Sequence, residues 1–176
     1  TNRLRSHMAA DQTRTEGLLT HLVPALLDGH TCIVLGCSLD MLNHLEHDLA
    51  GNREVQGSGV LCRNINGSTR AALRAEAIQE MRDLQSPVRC LMATYQLAKE
   101  GLDIPCADRL FLVQPVRDAT AIQQAVGRIM RPAPGKTGAV VYDFVDMNVP
   151  TCRSQFSARK TVYRKLNATI EKEILP

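Results

Sequence analysis

Five short apolar runs, each set off from the next by polar or helix-patterned sequence, constrain this chain more than any other feature. Leu18, Leu19, Leu22, Val23, Leu26 and Leu27 recur at helical spacing and form the stripe of an amphipathic helix. Thr31–Cys37 then reads as a strand, and Ser38 stands where the N-cap of a following helix belongs. Asn52–Gly59 is polar and glycine-containing and reads as a loop, with a second strand over Val60–Ile65. A helix is expected over Ala71–Leu84, stopped by Ser86-Pro87 because the residue before proline avoids the α region. Val88–Ala93 and Arg109–Gln114 are the third and fourth strands, Ala119–Arg131 is a helix ended by Pro132, and Ala139–Val145 is the fifth strand. A last helix is expected from Thr151 to Ile174, while the first ten residues read as poorly structured. The division is thus an extension or linker over 1–11 and one domain over 12–176.

Strands alternating with helices imply an α/β domain, a mainly parallel sheet with helices on both faces. Ligands of such sheets gather beyond the carboxyl ends of the strands. With 176 residues the chain has the size of a single domain that can bury a full core. Three Phe, three Tyr and no Trp leave that core to aliphatic side chains, and argue against a single-strand binder that stacks bases on aromatic platforms. A net charge of only +3 confines any nucleic-acid contact to a few phosphates. The stretch Arg153–Lys172 is richer in Lys and Arg and reads either as a basic face or, the favoured reading, as the solvated side of an amphipathic helix.

The six cysteines form no C-x-x-C pair and sit mostly inside apolar runs, which suits reduced core residues of a cytoplasmic protein rather than a disulfide frame or zinc site. His44 and His47 share a helix face with Glu46 nearby, but without further ligands they read as surface histidines, and no metal site is expected. Neither a membrane-length apolar run nor a signal peptide is visible, so no membrane partner is expected.

Two clusters carry the chemistry. Ala93-Thr94 is followed by Gly101-Leu102-Asp103-Ile104-Pro105, and about twenty residues later comes Gln124-Ala125-Val126-Gly127-Arg128-Ile129-Met130-Arg131. Helical i, i+3 spacing brings Arg128 and Arg131 onto one face, where two guanidiniums suit the charge of a phosphoryl group. Gly127 permits a close approach. A third segment, Asn66-Gly67-Ser68-Thr69-Arg70, follows a strand with a glycine, two hydroxyls and an arginine before a helix. It can cradle a phosphate, or Ser68 or Thr69 can simply cap that helix. Gly135-Lys136-Thr137 mimics the end of a Walker A loop, but Met130 stands where its first glycine belongs and no strand precedes it. It reads as the turn into the fifth strand, so an ATP-anchoring loop is absent from these residues.

In that order, the two clusters resemble motifs V and VI in the second, C-terminal RecA-like domain of superfamily 2 helicases and translocases. Asn66–Arg70 resembles the segment called IVa, and Ser38 resembles motif IV more loosely, with capping as its better reading. The resemblance implies that Arg128 and Arg131 are arginine fingers acting on ATP and Mg²⁺ held mainly by a first RecA-like domain outside these residues. It implies that Gly101, Asp103 and Gln124 serve the nucleotide, and that Gly67, Thr69, Arg70 and Thr94 hold nucleic-acid phosphates. Tyr142-Asp143-Phe144-Val145-Asp146, the basic helix after it, and Met130 in place of a glycine resemble restriction, phage and repair translocases more than DEAD-box RNA helicases, favouring DNA over RNA. The expected function is half of an ATP-hydrolysing motor, inactive alone. The alternative is a non-catalytic nucleic-acid adaptor with a degenerate motor fold. A small-molecule enzyme is disfavoured by the lack of a G-x-G-x-x-G turn.

Overall fold

The computed structural model describes residues 2–175. Its centre is the strand β1 (Cys32–Gly36), in which all five consecutive residues are buried. Only a strand covered on both faces tolerates that pattern. β2 (Leu61–Ile65), β3 (Val88–Thr94), β4 (Arg109–Leu112) and β5 (Val140–Asp143) complete a five-stranded sheet in the order β2-β3-β1-β4-β5, with every pairing parallel. The side chains alternate as the pleat requires. Ile33 and Leu35 of β1, Leu91 and Ala93 of β3, and Leu110 and Leu112 of β4 face one core. Cys32, Val34, Cys90, Met92 and Phe111 face the other.

The first face is covered by α5 (Ala71–Arg82), α6 (Tyr95–Gly101), α7 (Ala119–Ile129) and α8 (Pro150–Lys165), and the opposite face by α1 (Asn2–Ala10), α2 (Gln12–Leu27), α3 (Leu39–Gly51) and α4 (Arg53–Ser58). The expected α/β sheet with helices on both faces is therefore present. Ser38 caps α3 as read, accepting from the Met41 amide at 3.3 Å. All six cysteines are free thiols, three of them buried. Among the described residues no helix is long and apolar enough to cross a membrane.

Four local expectations fail, each for a physical reason, and the sequence reading misses α6. Residues 2–10 are not irregular: Met8 and Ala9 are buried, and the Ala9 carbonyl lies 2.8 Å from His44 Nδ1 on α3. Too few apolar residues mark this helix for periodicity to show it. Asn52–Gly59 is not a loop, because Asn52 ends α3 and caps α4, its Oδ1 accepting from the Glu54 and Val55 amides at 3.0 and 3.2 Å. Buried Val55 anchors that turn, and Gly59 ends it at φ +75°. α6 starts directly at the end of β3, leaving no loop signal between them.

The last helix stops at Lys165 rather than Ile174, since Asn167 adopts φ +53° and the Ala168 amide turns back to the Tyr163 carbonyl at 3.0 Å. The following tail returns to α2, where Leu175 Cδ1 lies 3.1 Å from the point a Cβ on Gly17 would occupy. Finally, α8 is not merely a solvated basic face. Arg159 is 1% exposed and grips Asp143, at the end of β5, through two 2.8 Å hydrogen bonds. Tyr163, one turn on, donates to the same carboxylate at 2.7 Å, and burial first, then Asp143, pushes its phenol pKa up.

Candidate functional site

The sequence-predicted residues fall into two groups at different places on the sheet. The first lies at the carboxyl edge. Ile65 and Ala93 are in register, so the chain leaving β2 at Asn66 passes beside Thr94, the last residue of β3. Asn66 shapes its turn itself: its Oδ1 accepts from the Ser68 amide at 2.9 Å and hydroxyl at 2.6 Å, and its amide donates to Thr69 Oγ1 at 3.0 Å. Neither hydroxyl caps α5. The N-cap is Arg70, which makes no side-chain cap bond, so the first-turn amides of α5 keep no side-chain acceptor. Arg70 and Gly67 are exposed, and a Cβ on Gly67 would meet nothing within 4 Å. Thr94 caps α6 by position only, its hydroxyl making no cap hydrogen bond. Gly67, Thr69, Arg70 and Thr94 are therefore brought together, with Thr69 committed to holding the turn.

Sequence reading missed the residue that stiffens this edge. Gln114 is 1% exposed, and its Oε1 accepts from the amides of Cys37 and Ser38 at 2.7 and 2.9 Å. Its backbone carbonyl accepts from the Tyr95 hydroxyl at 3.0 Å. One buried amide thus ties the ends of β1 and β4 to the start of α6, and it occupies the backbone amides after β1 that a phosphate would need. A polar residue closing the apolar run Arg109–Gln114 was the available signal.

The second group lies along α6 and α7. α7 begins beyond β4 and runs back along the sheet for eleven residues, about 16 Å at 1.5 Å per residue. Arg128 and Arg131 thus lie toward the amino edge, beside the turn that closes α6. There Gly101 has φ +125°, a conformation that only glycine adopts without strain. Arg128 donates to the Ala98 carbonyl in the last turn of α6, a favourable place for a cation. Arg131 is not on the helix: α7 ends at Ile129, and the Arg131 amide bonds the Arg128 carbonyl at 3.2 Å in a tighter turn. Its Nη1 donates to Asp103 Oδ1 at 3.1 Å.

Gln124 is exposed one turn before Arg128, and no atom would obstruct a Cβ on Gly127 within 4 Å, so this flank offers a partner surface an open approach. Lys136, the Walker A mimic, bridges the Pro105 and Arg131 carbonyls at 3.1 and 3.0 Å, and burial lowers its ammonium pKa. It staples the two motif loops together and stands in no phosphate loop. Among the described residues no cluster of three or more His, Cys, Asp or Glu is arranged for a metal.

The model of the helicase conserved C-terminal domain matches residues 16–133, two thirds of the chain, and its span includes all of these residues up to Arg131. The chain belongs to that family. This helicase C-terminal domain is 27% identical over 160 residues to a protein of Acanthamoeba polyphaga mimivirus named as an ATP-dependent RNA helicase, covering 90% of the chain but 28% of that protein. Its fold is similar to the C-terminal part of the Fun30 ATPase domain, with a TM-score of 0.60 at 13% identity over 84% of this chain and 53% of that one. It is also similar to the Hef helicase domain of Pyrococcus furiosus, with a TM-score of 0.58 at 21% identity over 83% of this chain and 28% of that one. The chain spans about a quarter of the length of the curated relative it matches.

Proposed function

We propose that this helicase C-terminal domain is the second half of an ATP-dependent nucleic-acid motor. In this reading it presents Arg128 and Arg131 to a nucleotide held mainly by a separate first RecA-like domain, and grips a strand by its phosphates at the carboxyl edge. The observation that carries the reading is the shared flank of α6 and α7. Gly101, Asp103, Gln124, Arg128 and Arg131 lie along it on an open surface, as a group distinct from Gly67, Arg70 and Thr94 at the ends of β2 and β3. Two separated sites on one rigid domain are what a motor needs to couple a chemical cycle to movement along a strand.

The side chains suit the ligands. Two guanidiniums now held by a carbonyl and an exposed carboxylate can exchange those partners for phosphoryl oxygens. Bound MgATP supplies the phosphoryl group to be transferred. Arg128 and Arg131 stabilise the charge that gathers on it, and Asp103 and Gln124 orient the polar groups beside it. The open amides at the start of α5 and the Arg70 guanidinium suit a strand phosphate. The preference for DNA rests on Met130 alone once Asp143 and Asp146 are seen to pair with Arg159 and Arg14, because those acids hold the fold together. The mimivirus relative's name points toward RNA for that protein.

Two expected outcomes test the reading. The 176-residue chain by itself should hydrolyse no ATP above background in a coupled steady-state assay, because these residues hold no ATP-anchoring loop; brisk turnover by the purified chain would sink the proposal. In a full-length protein carrying the chain, Arg70→Ala should remove about one unit from the slope of log affinity against log salt, on DNA or RNA. Thr94→Val should weaken nucleic-acid-stimulated ATPase while basal turnover persists. An unchanged slope together with full stimulation would move strand binding elsewhere.

A further inference from the structure

Arg82 is the last residue of α5 and belongs neither to Asn66–Arg70 nor to either motif cluster. Its Nε donates to the Asp103 backbone carbonyl at 2.7 Å and its Nη2 to Asp103 Oδ2 at 3.1 Å. The other carboxylate oxygen, Oδ1, receives Arg131 at 3.1 Å. One carboxylate therefore lies between two guanidiniums, each holding a different oxygen.

A guanidinium bound to both the main chain and the side chain of one residue fixes its backbone and its rotamer at once. The planar fork of arginine sets both bonds in one fixed plane, whereas a lysine ammonium, which can also meet two oxygens, is a point charge that fixes no such plane. The base from which Arg82 reaches is itself fixed. Ala77 and Met81 of α5 are 3% and 0% exposed in the core, and the Met81 carbonyl accepts from Cys106 Sγ at 3.1 Å. The segment that Arg82 grips follows directly on the positive φ of Gly101, where the chain would otherwise be free to vary.

We propose that Arg82 is a positioning residue of the nucleotide flank. It holds Asp103 so that Oδ1 faces Arg131, and thereby sets the position from which Arg131 reaches a phosphate. The inference rests on the reading of Arg131 as a phosphate-facing residue. Stability is not its purpose, since Arg82, Asp103 and Arg131 are 41%, 48% and 59% exposed in their side chains and pairs so open stabilise a fold little. Its effect is on geometry, where small misplacements of a reacting group carry large rate penalties.

The test has two arms. In the chain itself, nitrogen-15 spectra of the arginine side chains should show a restrained Arg131 guanidinium that becomes mobile in Arg82→Gln and in Asp103→Asn, with melting temperatures unchanged. An Arg131 signal that stays restrained in Arg82→Gln overturns the proposal whatever the chain does as a motor. In a full-length protein carrying the chain, Arg82→Gln and Arg82→Lys should each lower kcat about tenfold while moving KM for ATP less than about twofold. Wild-type kcat in Arg82→Lys would show that charge alone matters, and would also overturn it. Wild-type turnover in Arg131→Ala would instead remove the finger reading, and the spectra alone would then decide whether Arg82 positions Asp103 and Arg131.

Discussion

Replacing Arg128 or Arg131 with alanine in a full-length protein carrying this chain should lower steady-state ATP turnover about a hundredfold, with nucleic-acid affinity nearly unchanged. Guanidiniums that meet a transferring phosphoryl group contribute roughly 10³ to 10⁵ in rate where they act alone, and two that share the task leave part of it to each other. A hundredfold corresponds to about 2.7 kcal/mol of transition-state stabilisation, within reach of one charge-assisted contact in a closed cleft. The fold should not suffer. Both side chains are at least partly exposed, and they bond the Ala98 carbonyl and the Asp103 carboxylate rather than a core group. Strand affinity should survive because Gly67, Arg70 and Thr94 follow β2 and β3, whereas Arg128 and Arg131 bond Ala98 and Asp103. Wild-type turnover in either variant would favour a non-catalytic adaptor built on the same fold.

The largest effect on stability should come from Asp143→Ala. That substitution leaves Arg159, 1% exposed, as a buried charge that keeps the Val116 carbonyl at 3.0 Å and the Phe156 ring at 5.8 Å but no counter-charge. Removing one member of a buried pair costs roughly 3–5 kcal/mol, because the survivor keeps its desolvation penalty without its counter-charge. For a chain of this length, the melting temperature should fall on the order of 10 °C. The Tyr163 hydroxyl would lose its acceptor as well. Combining Asp143→Leu with Arg159→Met should restore most of the stability, since it removes both charges together. Urea unfolding reads the two variants against the parent, and a loss below about 1 kcal/mol for Asp143→Ala would mean that water reaches the pair, as it does in surface ion pairs.

The sheet and the two motif clusters were legible because each rests on local, periodic signals. Continuous apolar runs bounded by Gly, Pro and polar residues mark buried strands wherever they fall, and Ser38 caps a helix through atoms three residues apart. Residues identified by the order of Thr94, Gly101, Asp103, Gln124, Arg128 and Arg131 needed no coordinates to be found. Their distribution did. The i, i+3 spacing puts Arg128 and Arg131 on one helix face, whereas α7 ends at Ile129 and leaves Arg131 in the turn beyond it.

The sequence alone determined the α/β class, the helices on both faces and the choice of candidate site residues, because hydrophobic periodicity and motif order are written along the chain. Only the tertiary structure decided who holds whom. Gln114 reaches across 76 or 77 residues to the turn after β1, Arg159 meets Asp143 beneath α8, and Arg82 shares Asp103 with Arg131 across the α5 and α7 ends. Each of these pairings depends on which helix lies over which strand. A charged residue in a polar helix looks the same in sequence whether its neighbour is water or a buried carboxylate, and only packing, which removes the water, distinguishes the two.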